Sequence, residues 1–252
     1  MPRIKVTEPG VREGRFFLFI NLVIALAWGI FACPVQAAAD VIEAITFETD
    51  KGQLYVPMED AARELQLKIE RSSKTVFVGP QKVRLVAASL RRLLDGTELV
   101  SLADLQKAGA ELGTAQTGGP LIVLHGRSTF EVVKAVKRVE VDLTKQQLSA
   151  WEGNRLVLQT HISSGRYRNS TPVGEFSAGP YKAEMHFSQK YNNAPMPWSV
   201  QLNDHVFIHG FSSVPHYPAS HGCIRMPLDK GNPAKFFYEW VDVGTAVKVM
   251  RS

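Results

Sequence analysis

Six consecutive residues, Ser220-His221-Gly222-Cys223-Ile224-Arg225, bring a hydroxyl, an imidazole, a thiol and a guanidinium into one short stretch. A cysteine reacts as its thiolate, and an unperturbed thiol with pKa near 8.5 is mostly protonated at neutral pH, so nucleophilic use requires a nearby base or positive field. Two histidines are candidates. His209 ends the apolar run Val206-Phe207-Ile208, where a strand fixes the backbone while the side chain reaches the rim. His221 stands two residues before Cys223, a spacing that need not make the two side chains face each other in a turn. It is therefore expected to orient the site or meet substrate. Gly210 and Gly222 permit close backbone approach. Successive N–H groups around a glycine-containing turn can converge on an oxyanion, and Arg225 offers a planar fork suited to a carboxylate. The chemistry these residues suit is nucleophilic attack by a cysteine thiolate, with a place for a developing oxyanion and for an anionic group of the substrate.

The rest of the chain isolates this thiol. Arg3, Lys5, Arg12 and Arg15 precede an apolar run from Phe16 to Ala32, and Ala37, Ala38 and Ala39 follow, which is the pattern of an export signal cleaved near Ala37 or Ala39. An uncleaved anchor is the rival, but the run falls short of the roughly 20 residues that span a bilayer, contains Asn21 and ends at Pro34. Lipidation at Cys33 is disfavoured by bulky Phe31. Loss of the leader, residues 1–39, removes Cys33 and leaves Cys223 without a disulfide partner in an oxidising compartment, periplasm or cell wall, where a lone thiol is buried or used. The formal charge of +5 is too mild for a nucleic-acid argument, although from Lys137 onward 13 basic residues face 9 acidic ones, a balance that suits an anionic substrate.

Blander assignments compete for several of these residues. His205, His209, His216, His221 and Cys223 are zinc-ligand types, but their spacing matches no standard finger or ribbon, and no metal or other cofactor is expected. His205 and His216 are expected in loops, and His161 and His186 at the surface or in packing. Phe211, Tyr217 and Trp198 are either substrate-lining aromatics or core. Thr171-Pro172 and Gly174 are turn chemistry or a scaffold for the floor of the cleft.

Together, Ile208-His209-Gly210 and SHGCIR resemble the signature of the L,D-transpeptidase catalytic domain, also called the YkuD domain. The resemblance runs from about Val139 to Met250 and includes Ser163-Ser164-Gly165, the TP-x-G-x-F element from Thr171 to Phe176, Met196-Pro197-Trp198 and Gly244-Thr245-Ala246-Val247. Only ten residues separate His209 from Ser220, fewer than in many members, so the loop over the site is expected to be short. The resemblance implies that Cys223 attacks the diamino-acid carbonyl of a peptidoglycan stem tetrapeptide. It implies that His209, held by the carbonyl of Gly210, takes the thiol proton, that the N–H groups of His221, Gly222 and Cys223 bind the oxyanion, and that Ser220, Arg225 and Trp198 orient the substrate. A second stem peptide, a lipoprotein amine or water then accepts the acyl group, giving cross-linking, protein anchoring or carboxypeptidase outcomes in cell-wall biogenesis and cell shape. It also implies acylation by carbapenems. A non-catalytic wall-binding protein is the alternative from another class.

These motifs must be positioned by two kinds of structure. From Ile42 to about Val132 a weak repeat at an offset of 44 sets Leu54-Tyr55-Val56-Pro57-Met58-Glu59-Asp60-Ala61 against Glu98-Leu99-Val100-Ser101-Leu102-Ala103-Asp104-Leu105. Each copy predicts a short strand, a helix opened by Pro57 or Ser101, and a further strand at Val76-Phe77-Val78 or Leu121-Ile122-Val123. This half resembles the copper-amine-oxidase-like N-terminal domain of secreted bacterial proteins; with His125 as its one histidine it lacks the ligands for copper. After Val136 the alternation of Val139 to Leu143, Leu148 to Trp151 and Leu156 to Ile162 predicts a β-meander, and Asn232-Pro233 opens a helix carrying Phe236, Phe237 and Trp240. The expectation is an α+β chain. A signal over 1–39 and a small α/β domain of two repeats over 40–135 precede a mostly-β catalytic domain over 136–252.

Overall fold

Alternation of apolar residues governs the second half of the chain as expected. In the computed structural model, which describes residues 40–72, 75–79, 83–86, 90–114 and 119–252, the strands Lys137–Asp142, Gln147–Glu152 and Arg155–His161 pair antiparallel in sequence order. The leader, with Cys33 and both cleavage positions, lies outside the described residues. Val139, Val141, Leu148, Ala150 and Leu158 turn into the core. The last strand, Ala246–Met250, enters parallel beside Lys137–Asp142 with Val247 opposite Val139, and Gly174–Ser177 pairs with its other edge.

A second sheet runs in the order Lys182–Ser188, Ala194–Asn203, Val206–Phe211, Ile224–Pro227. Its first three strands are antiparallel neighbours and the fourth is parallel to the third. A parallel neighbour requires a crossover of about a dozen residues. The segment 212–223 is that crossover, and it delivers the His221-Gly222-Cys223 turn to the foot of the fourth strand. Ile208, Ile224 and Met226 point to the core face, so Phe207, His209, Phe211 and Arg225 share the opposite one.

The helix Pro233–Trp240 covers the core face. Asn232 caps it by accepting the Lys235 N–H at 3.0 Å, Pro233 occupies its first turn, and Phe236, Phe237 and Trp240 are buried. Its far end receives two ammonium groups. Lys137 Nζ donates to Trp240 O at 2.6 Å, and Lys182 Nζ to Tyr238 O at 2.8 Å and Val241 O at 2.7 Å, placing positive charge where the helix dipole is negative.

The N-terminal half contains the strand Tyr55–Pro57 followed by the helix Met58–Glu64, and the strand Leu99–Ser101 followed by the helix Leu102–Lys107. The two strands pair antiparallel with Val56 opposite Val100. Ser101 caps its helix by accepting the Asp104 N–H, whereas Pro57 precedes its helix without a side-chain cap. A hairpin follows each helix, Ile69–Ser72 with Thr75–Val78 and Glu111–Thr114 with Leu121–His125.

Two buried clusters result, and they do not divide at residue 136. One holds Val56, Leu65, Leu105 and Phe130. The other, under the second half, also takes in Ile45, Phe47, Leu93 and Leu99 from the first. Phe47 meets Phe236 edge-on at 5.8 Å between ring centres, and burial of a side chain of this size contributes about 1.5–3 kcal/mol. Beside it Glu152, 1% exposed, accepts hydrogen bonds from Thr46 N at 3.1 Å, Thr46 Oγ1 at 2.6 Å and Trp240 Nε1 at 2.9 Å. The described residues from 40 onward form one compact unit.

Candidate active site

His209 sits on the third strand of the second sheet, 4% exposed. Its Nδ1–H donates to the carbonyl of Gly210 at 2.9 Å, which leaves Nε2 as the ring's lone-pair nitrogen. Burial pushes this imidazole down to about 4; the Gly210 bond opposes the shift, and Arg225 and His186 add to it. At neutral pH His209 is an uncharged base. Gly210 earns its place by packing, since a Cβ there would lie 2.4 Å from Leu228 Cδ2 and 3.2 Å from Ala234 Cβ.

The nucleophile turn is held by hydroxyls. Ser220, 1% exposed, accepts the Gly222 N–H at 3.1 Å through Oγ and donates to the Cys223 carbonyl at 2.5 Å. Gly222 has φ of +120°, a conformation that L side chains rarely adopt. Behind the turn run residues 163–165. Ser163 exchanges backbone hydrogen bonds with Arg225 at 3.0 Å in both directions, and Ser164 O accepts from Ala219 N and Ser220 N at 2.9 Å. Buried Gln146 fixes Ser164 in turn, accepting its N–H and donating to its Oγ, each at 2.8 Å. Thr171 Oγ1 accepts from Gly165 N at 2.9 Å and donates to Gly222 O at 2.7 Å.

Cys223, His209, Ser220, His221 and Arg225 line one cavity of about 150 Å³, closed on its other sides by Tyr191, Met196 and Phe211 with Ser188, Ala194 and Pro195. Burial pushes the Cys223 thiol up, against the opposing influence of the Phe207 N–H and Arg225. The thiol's hydrogen bond runs to the carbonyl of His205 at 3.7 Å. Arg225 lies over the Phe211 ring at 4.0 Å, and among the described residues no carboxylate pairs with it. At the mouth, Arg166 Nη2 donates to His221 Nε2 at 2.6 Å, and Tyr191 lies over the same imidazole at 4.7 Å. Desolvation and the cations Arg166, Arg225 and Lys190 hold the His221 imidazole below its usual range. Larger grooves exist, but in the one of about 840 Å³ both arginines are already paired, Arg63 with Asp60 and Glu64 and Arg155 with Asp60.

Most of the expected residues thus meet at one place, with two corrections. Gly222 does not offer its N–H to an oxyanion, because Ser220 Oγ already takes it; its contribution is the conformation that only glycine adopts there at low cost. Trp198 does not line the cavity. Its φ of +57° breaks the strand's alternation, so the indole packs beside Tyr238 at 5.6 Å and under Lys235 on the helix side, while Met196, two residues earlier, lines the cavity. The histidines disperse: His161 stacks on His216 at 4.3 Å, and His186 on Phe207 at 5.0 Å. Among the described residues no three groups of metal-ligand type come together. Arg166, Tyr191 and Gln146 went unnoticed in the sequence. Arg166 directly follows Ser163-Ser164-Gly165, a usable signal, whereas Tyr191 and Gln146 stand in segments without a motif.

A family model described as the L,D-transpeptidase catalytic domain (YkuD) matches residues 136–249, so the resemblance drawn from SHGCIR and its companion motifs holds over this half. The resemblance of residues 40–135 to a copper-amine-oxidase-like domain receives no support. Among solved structures, an L,D-transpeptidase (Yku) from Stackebrandtia nassauensis is 29% identical over 47% of this chain and 57% of its own, with a TM-score of 0.42. An L,D-transpeptidase from Xylanimonas cellulosilytica is 32% identical over 47% of this chain and 62% of its own, with a TM-score of 0.39. The match therefore spans less than two thirds of either solved chain. An L,D-transpeptidase from Mycobacterium smegmatis is 16% identical over 85% of this chain and 95% of its own, at a TM-score of 0.41. Among curated proteins no match is found.

Proposed function

We propose that this protein is an exported, cysteine-dependent L,D-transpeptidase that acts on peptidoglycan stem tetrapeptides. One observation carries the proposal: within the matched residues, Cys223, neutral His209 and Arg225, which has no carboxylate partner among the described residues, face the same cavity. In this reading the thiol leaves the His205 carbonyl and passes its proton to His209 Nε2 as sulfur bonds to the substrate carbonyl carbon. The oxyanion falls to the N–H groups of Cys223 and His221, since that of Gly222 is taken. The tetrahedral intermediate collapses by breaking the peptide bond, and the leaving D-amino acid takes the proton from His209. A thioester remains until an acceptor amine attacks it, His209 again moving the proton.

Arg225, stacked on Phe211, presents its fork to a substrate carboxylate, and Arg166 adds a second positive group at the mouth. Residues 40–135 brace the catalytic half through Phe47 against Phe236 and Thr46 against Glu152, and the leader places the enzyme outside the cytoplasmic membrane, in the periplasm or wall. The test is mass analysis of the purified protein incubated with tetrapeptide muropeptides and a free D-amino acid, beside Cys223→Ala. Exchange or dimeric products that need the cysteine support the proposal. Tripeptide alone assigns water as acceptor, and no product with wild-type protein overturns it.

A further inference from the structure

The nucleophile turn contains three consecutive peptide groups, and hydroxyls hold all three. Ser220 Oγ accepts the N–H of the His221–Gly222 peptide and donates to the C=O of the Cys223–Ile224 peptide. Between them lies the Gly222–Cys223 peptide, whose C=O accepts from Thr171 Oγ1 at 2.7 Å. In a trans peptide the C=O and N–H point in opposite directions and turn together as one plane. Holding Gly222 O on one side therefore aims the Cys223 N–H to the other. This peptide needs holding, because glycine on one side of it eases rotation of the plane.

We infer that Thr171 is a positioning residue for acyl transfer, acting on the Cys223 N–H through the Gly222–Cys223 peptide; the inference rests on the thioester reading above. Thr171 is 2% exposed, lies outside the cavity lining, and spends its one proton on Gly222 O while a lone pair takes the Gly165 N–H. Gly165 completes the arrangement by having no side chain. A Cβ there would lie 2.9 Å from Gly222 Cα, 2.7 Å from Thr171 N and 2.0 Å from Asn169 O, so threonine and turn touch only because this position is bare. The hydroxyl thus joins the segment behind the turn to the one peptide that Ser220 does not reach. Ordinary core packing would need the methyl of Thr171; positioning needs its hydroxyl.

The two roles separate by experiment on the purified protein. Thr171→Val keeps the shape and removes the hydroxyl, whereas Thr171→Ser keeps the hydroxyl and removes the methyl. Thr171→Val is expected to lower kcat for thioester formation about 10–100-fold with KM within about twofold, as loss of a well-aimed oxyanion donor does. Alkylation of Cys223 by iodoacetamide, which develops no oxyanion, stays within about twofold of wild type, and Thr171→Ser recovers most of kcat. If the valine protein does not fold, Thr171→Ala replaces it, because the vacated space admits a water to satisfy the two backbone groups. An active wild type with unchanged kcat in Thr171→Val overturns the inference alone, as does a parallel fall of alkylation and acylation with no recovery in serine. Wild-type protein that forms no acyl-enzyme overturns the function proposal, and this inference with it.

Discussion

His209 and Arg225 are Cα partners in the parallel pairing of Val206–Phe211 with Ile224–Pro227, so an imidazole and a guanidinium sixteen residues apart emerge side by side on one face. The guanidinium adds to the effect of burial in keeping the imidazole uncharged, and it stays available for an anion because no carboxylate neutralises it among the described residues.

This relationship makes stability depend on acidity. The folded His209 titrates near 4 and an unfolded histidine near 6.5, so below pH 6.5 the unfolded chain binds a proton that the folded one refuses. His209 thus contributes its full share of stability above pH 6.5 and loses it as the pH falls to about 4, by about 3 kcal/mol in total. Urea unfolding of wild type and His209→Asn at pH 7, 5 and 4 checks this. The wild type should lose the extra stability on acidification, and parallel losses in both proteins would refute it.

The thiol and imidazole are both held toward their neutral forms by burial, which predicts a thiol–imidazole resting state rather than a preformed ion pair. The rate of Cys223 alkylation by iodoacetamide should keep climbing beyond pH 9. A plateau reached by pH 7 would show a preformed thiolate instead.

Two glycines near the site predict different penalties. Gly165→Ala drives a Cβ into the backbone of Asn169 and Gly222 and should cost about 1–3 kcal/mol along with most activity. Gly210→Ala meets first the end of the Leu228 side chain, which can yield, so the loss should be smaller. Thermal unfolding of the two variants decides the order.

Glu152 ties the halves together from within the core. Removing it in Glu152→Ala leaves the Thr46 and Trp240 donors unpaired and should cost about 3 kcal/mol, or roughly 6–12 °C in Tm for a protein of this size. Glu152→Gln, which keeps an acceptor for Trp240 Nε1, should lose less. Equal Tm values for both variants would count against this account.

Arg225→Lys should lower kcat/KM about 10-fold or more, because a point charge neither stacks on Phe211 nor makes two parallel hydrogen bonds. Steady-state kinetics with the tetrapeptide tests it, and a lysine variant with unchanged kcat/KM would show that charge alone suffices.

The chemistry was legible in the residues themselves because it depends on types and on short spacings: a thiol beside glycine, a histidine at a strand end, a guanidinium two residues on. The meander and the Asn232-Pro233 helix were legible for the same local reason, since alternation and capping act over a few residues. Pairings between distant segments carry no such local mark. The parallel match of His209 with Arg225, the return of Thr171 to Gly222 and the entry of Phe47 under Phe236 each join residues whose neighbours in sequence do not specify the contact. Trp198 and Gly222 show the limit most plainly. A single left-handed residue turned the indole away from the cavity, and one serine hydroxyl took the glycine N–H, because side-chain direction and hydrogen-bond partner are settled by the packed backbone.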